Sequence, residues 1–117
     1  MKAGNNKISI PAILEVGKGN LSYIGALIEK SGFSNIVMFL GKGINDMFGE
    51  KIQQSFKFQS TKIIKTIETD DIDINNIVKT AFSIPAESDV IVGIGGGKAL
   101  DVAKYCCFLK KLPFISV

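Results

Sequence analysis

Apolar positions recur along this chain in two rhythms, short continuous runs and stretches with a period near 3.6, and the two alternate from one end to the other. After an apolar run over residues 8–16, Asn20 is placed to cap a helix that carries Leu21, Ile24, Leu27 and Ile28 on one face and closes at Gly32. An extended run over residues 35–40 follows. Gly41-Lys42-Gly43 then turns the chain into a helix with Ile44, Met47, Phe48, Ile52 and Phe56 at helical spacing.

A third extended run, residues 62–67, leads to an acidic cluster in which Asp70, Asp71 or Asp73 can cap and favourably charge the next helix. That helix places Ile74, Ile77, Val78, Ala81 and Phe82 on one stripe, and Pro85 stops it. The segment Asp89-Val90-Ile91-Val92-Gly93-Ile94, the turn Gly95-Gly96-Gly97, a helix over about residues 98–110 and a last strand over residues 113–117 complete the pattern. Strand and helix in repeated alternation predict an α/β fold, a mainly parallel sheet with helices on both faces. Ligands of such sheets bind at the carboxyl ends of the strands, where both glycine turns fall.

Composition narrows the possible functions. At 117 residues the chain makes one domain, which buries roughly two thirds of the surface its unfolded form exposes. Fourteen basic and 11 acidic residues leave a net charge of +3, spread along the chain with no basic stripe, so a nucleic-acid partner is not expected. Histidine is absent, which removes the commonest general base, nucleophile-activating partner and transition-metal ligand. No catalytic residue and no metal ligand can be assigned within the chain.

Cys106 and Cys107 are adjacent in a helical pattern, with side chains about 100° apart, so they are read as buried thiols rather than a disulfide or a zinc site. The eight phenylalanines fall in apolar stripes and read as core. No signal-peptide core and no apolar run near the ~18 residues of a membrane span is visible. A cytoplasmic protein without membrane contact is expected.

The segment from Ile91 to Asp101 carries the chemistry. Three successive glycines between a buried strand and a helix let the backbone approach an anion closely, and the helix N-terminus offers free N–H groups and partial positive charge. A diphosphate suits such a turn. Two familiar fingerprints fail on it: a Walker loop ending at Gly97-Lys98 requires Gly at position 92 and Ser or Thr at 99, where Val92 and Ala99 stand. A dinucleotide-binding G-x-G-x-x-G requires Gly at 98 or 100, where Lys98 and Leu100 stand.

The segment does resemble the G-G-G-x-x-x-D-x-A-K motif of the iron-containing alcohol dehydrogenase, glycerol dehydrogenase and glycerol-1-phosphate dehydrogenase group, which shares its fold with dehydroquinate synthase. Gly95, Gly96, Gly97, Asp101, Ala103 and Lys104 match it position by position. Residues 10–19 resemble the group's opening strand and G-K-G turn, residues 36–41 the strand leading to the adenosine end, and residues 113–117 the strand before its Pro-Thr cofactor loop.

The resemblance implies a Rossmann-like NAD(P)-binding domain over residues 1–117, the N-terminal and incomplete part of a protein whose helical C-terminal domain holds a divalent metal, Zn or Fe. It implies that the backbone of Gly95, Gly96 and Gly97 and the side chain of Lys98 bind the cofactor pyrophosphate, with Asp101 in the first helical turn nearby. Lys104 reads as a solvated helix charge. Gly41 stands where NAD-preferring enzymes often carry an acid, so NADP is expected to be tolerated or preferred, with Lys42 as a candidate partner of the 2′-phosphate.

The function implied is the cofactor-binding part of a metal-dependent NAD(P) polyol dehydrogenase, acting on glycerol, glycerol 1-phosphate or the corresponding ketone. Such a chain is not expected to turn over alone, and it can associate as a homo-oligomer. A dehydroquinate synthase-like lyase and a non-catalytic nucleotide-binding module are the alternatives.

Overall fold

Side chains of the central strands point alternately to two apolar faces, and helices cover both. In the computed structural model, which describes residues 13–15, 23–69 and 74–116, the elements run β1 (Ile13–Glu15), α1 (Ile24–Lys30), β2 (Asn35–Gly41), α2 (Ile44–Ser55), β3 (Lys62–Thr69), α3 (Ile74–Phe82), β4 (Val90–Ile94), α4 (Gly97–Lys110) and β5 (Phe114–Ser116). The five strands form one sheet in the order β1-β5-β4-β2-β3, each paired in parallel with its neighbour. The expected α/β class, parallel sheet and two helical layers are all present.

Ile36, Met38 and Leu40 of β2 and Val90, Val92 and Ile94 of β4 pack with Ile24 and Ile28 of α1 and Ile52 of α2. Val37, Phe39 and Ile91 face the other way, onto Ala81 of α3 and Val102, Ala103, Cys106 and Cys107 of α4. Two-sided burial is why β2 and β4 read as continuous apolar runs rather than alternating ones.

Two carboxylates secure the amino ends of the strands. Asp89 accepts hydrogen bonds from the Ser34 and Asn35 N–H groups at 2.8 and 3.0 Å, tying the start of β4 to that of β2. Glu29 near the end of α1 accepts from the N–H and hydroxyl of Ser60 and from the Thr61 N–H, anchoring the entry to β3.

Several sequence expectations change. Phe39, Phe56 and Phe114 are buried and Phe33 and Phe48 partly so, but Phe58, Phe82 and Phe108 are 89, 79 and 68% exposed and do not belong to the core. Met47 and Val78 are exposed too, because each helix lies on the sheet along a narrower stripe than its apolar composition suggests. The cap at Asn20, the position of Leu21, the acidic cluster at Asp70, Asp71 and Asp73, and most of the run over residues 8–16 lie outside the described residues.

Candidate functional site

The strand order creates a switch point between β2 and β4. These neighbours run in parallel, yet the helix that follows β2 packs on one face of the sheet and the helix that follows β4 packs on the other. The chain therefore leaves the two strand ends in opposite directions, and a crevice opens between them, the usual ligand position of such sheets.

Both glycine turns lie at this crevice. Leu40 pairs with Ile94, so Gly41 and Gly95 come next to each other as the strands end. A Cβ on Gly95 would sit 3.0 Å from the Gly41 nitrogen and 3.1 Å from its Cα, and Gly95 has φ +136°. Only glycine meets both conditions without strain. Gly95 is thus required by the protein's own backbone.

Gly96 and Gly97 differ. Gly96 has an extended backbone with φ −80°, and a Cβ on either residue would meet nothing within 4 Å. Neither the conformation nor the packing of the described residues demands glycine at these two positions. What their missing side chains leave is open space over the N-terminus of α4, where Gly96 is the N-cap and no side chain caps the helix. The first N–H groups of a helix have no intrahelical partners, so they are available to an anionic ligand.

Gly41, Lys42, Thr69, Gly96, Gly97, Lys98 and Ala99 line this cleft. Five of the residues expected from sequence are brought together there, and both charged side chains among the described lining residues are lysines. Gly95 lies beneath it as the junction of the two turns. Asp101 is exposed and is the fifth residue of α4, past the first turn, which contains no acidic residue; this corrects its expected place. It does not line the cleft.

Sequence reasoning missed Thr69 and Ala99. Thr69 pairs with Gly41 across the β2–β3 ladder, a contact that depends on strand order. Ala99 is buried in the first turn of α4, close enough to contact a Cβ placed on Gly41, at 3.6 Å. Among the described residues no group of three or more His, Cys, Asp or Glu side chains could hold a metal ion. They do not fit a metal centre, and no chemical step is assigned to one.

The described residues contain no helix long and apolar enough to cross a membrane.

The chain is 24% identical over 111 residues to the glycerol-1-phosphate dehydrogenase [NAD(P)+] of Thermofilum pendens, covering 95% of this chain and 31% of that protein. It is 25% identical over 122 residues to the enzyme of the same description from Saccharolobus islandicus, covering 100% and 33%. It therefore spans about a third of the length of the curated relatives it matches.

Among solved structures, glycerol dehydrogenase from Schizosaccharomyces pombe superposes with a TM-score of 0.76 at 21% identity, over 97% of this chain and 29% of that one. Sulfoacetaldehyde reductase from Bifidobacterium kashiwanohense, solved in complex with NAD+, superposes with a TM-score of 0.67 at 20% identity, over 95% and 35%. These likenesses establish a shared fold. The family model of the iron-containing alcohol dehydrogenases matches residues 15–117, nearly the whole sheet and both glycine turns, and the chain belongs to that family.

Proposed function

We propose that this chain is the N-terminal, cofactor-binding part of an NAD(P)-dependent polyol dehydrogenase, acting as a whole protein on glycerol, glycerol 1-phosphate or the corresponding ketone. The observation that carries the reading is the pair Gly96 and Gly97, glycines that the turn itself does not require and whose absent side chains leave the N-terminus of α4 open. A dinucleotide pyrophosphate would lie against their backbone, with the Lys98 ammonium beside it. Lys42, directly after β2, lines the cleft and is the candidate partner of a 2′-phosphate, and among the described residues no acid lines the cleft to repel one.

The nicotinamide supplies hydride transfer when bound, and this chain's residues bind and orient the dinucleotide. Asp101, one turn into α4, is kept as a candidate that acts at the rim of the site. The substrate class rests on the names of the relatives, glycerol-1-phosphate and glycerol dehydrogenases. Their greater length accords with a further domain that would complete the substrate site.

Titrating the chain with NADPH and NADH, followed by the emission of the reduced nicotinamide and with ATP as competitor, tests the reading. The chain has no tryptophan to interfere. Saturable binding that Gly96→Val abolishes, tighter for NADPH, is expected; a folded chain that binds neither cofactor refutes it.

A further inference from the structure

The end of β3 brings a side chain into the cleft that the dinucleotide reading has not used. In sheets that bind dinucleotides, an acid near the end of the neighbouring strand holds the ribose 2′-hydroxyl, and a basic group takes over where the cofactor has a 2′-phosphate. In this chain β2 ends in Gly41, which has no side chain to offer. Its register partner across the ladder is Thr69, and Thr69 lines the same cleft as Lys42.

The Thr69 hydroxyl is lightly committed. It donates to the Leu40 carbonyl at 3.4 Å, beyond the usual 2.5–3.0 Å range of about 2.8 Å for a hydroxyl. A hydroxyl both donates and accepts and turns freely about its bond, so this one can turn its proton toward a phosphate or accept from a ribose hydroxyl. The neighbouring acid, Glu68, lines a separate hollow between β3 and the α3–α4 pair, which shares Thr69 with the cleft. Among the described residues lining the cleft, Thr69 has the sole side-chain hydroxyl, and Lys42 and Lys98 have the charges.

We infer that Thr69 is a specificity-determining residue of the cofactor site, its hydroxyl meeting the group at the 2′ position of the adenosine ribose and donating to a 2′-phosphate beside Lys42. The inference rests on the dinucleotide reading and adds a residue to it. Gly41 leaves empty the place that a strand-end carboxylate holds in NAD-selective sheets, and Thr69 is the side chain level with it. A neutral hydroxyl there does not repel the 2′-phosphate, whereas a carboxylate would.

The test compares wild type, Thr69→Val and Thr69→Asp by NADPH and NADH titration, with 2′,5′-ADP and 5′-ADP as competitors to isolate the 2′ position. Thr69→Val keeps the side-chain shape without the hydroxyl. It is expected to weaken NADPH and 2′,5′-ADP about ten- to a hundredfold, the worth of one hydrogen bond to a charged group, and to leave NADH and 5′-ADP within about twofold. Thr69→Asp is expected to reverse the preference toward NADH.

An unchanged ratio of NADPH to NADH affinity in both variants, or an equal loss for both cofactors, overturns the assignment of Thr69 and leaves the dinucleotide reading standing. A folded wild-type chain that binds neither cofactor overturns both. Urea unfolding of each variant by circular dichroism identifies any loss that comes from misfolding, and Thr69→Ser, which retains the hydroxyl, should restore the wild-type ratio.

Discussion

The three consecutive glycines should separate into one that holds the fold and two that admit a ligand, and single alanine substitutions can tell them apart. At Gly95 an added Cβ would lie 3.0 and 3.1 Å from backbone atoms of Gly41. Those atoms have little room to retreat, because β2 and β4 are paired up to Leu40 and Ile94. The backbone at φ +136° adds a conformational penalty. Strain of this kind costs about 1–3 kcal/mol, and overpacking against fixed atoms costs about as much again. Gly95→Ala should therefore destabilise the chain by roughly 2–6 kcal/mol, a large part of the ~5–15 kcal/mol that holds a domain together.

Gly97 opens α4 with nothing within 4 Å of its Cβ position. Gly97→Ala should leave stability unchanged or raise it by up to about 1 kcal/mol, since alanine favours the helix and restricts the unfolded chain. Urea unfolding followed by far-UV circular dichroism reads the difference. With a slope of about 1–3 kcal/mol per molar urea, the two midpoints should lie about 1 M or more apart. NADPH titration should show the opposite order of interest, with Gly97→Ala stable and binding at least about tenfold weaker, a loss of about 1.4 kcal/mol. Equal midpoints for the two variants, or wild-type NADPH affinity in Gly97→Ala, would refute the division of roles.

Three further outcomes are expected. Gly25→Ala should be among the most damaging small substitutions, because its Cβ would fall on the Ser55 carbonyl where α1 meets the end of α2; a midpoint loss equivalent to about 2 kcal/mol or more is expected, and a wild-type midpoint would contradict the helix contact. The Glu29 carboxyl titrates below its ordinary value of 4.5, chiefly because the Thr61 N–H donates to it, against a smaller opposing effect of burial and with help from the Ser60 hydroxyl and N–H. A lowered folded value means that its contribution is present above the unfolded pKa and is lost as pH falls through the folded one. Stability should thus decline below about pH 4.5 with a component that Glu29→Gln lacks, and identical pH profiles for the two proteins would remove Glu29 from the account. Burial pushes the Cys106 thiol up to about 11 and raises Cys107 still further, with Cys106 beside it adding to the effect; both thiols should resist a disulfide reagent at pH 8 until the chain unfolds, whereas rapid labelling of the folded chain would show them exposed.

The alternation of apolar runs and 3.6-period segments was enough to establish the α/β class, the parallel sheet and the position of the glycine turn at a strand end. Burial on both faces imposes continuous apolar runs on β2 and β4, and a helix on one face imposes a stripe, so these are local signatures of burial. The motif from Gly95 to Lys104 likewise lies within one turn and one helix, and it made the family legible before any strand was placed.

The rest depended on contacts between segments far apart in the chain. No local period states that β4 returns to lie beside β2, yet that adjacency sets Gly41 against Gly95 and makes one cleft of two turns. The pairing of β2 with β3, equally unstated by any local period, brings Thr69 level with Gly41. Tertiary packing also decided which apolar residues stay out of the core: Phe82 and Phe108 have the composition of buried positions, but each lies on the outer side of its helix once the opposite side has met the sheet. Sequence encodes which face of an element is apolar; only the assembled sheet decides which neighbour that face meets and how much of it is covered.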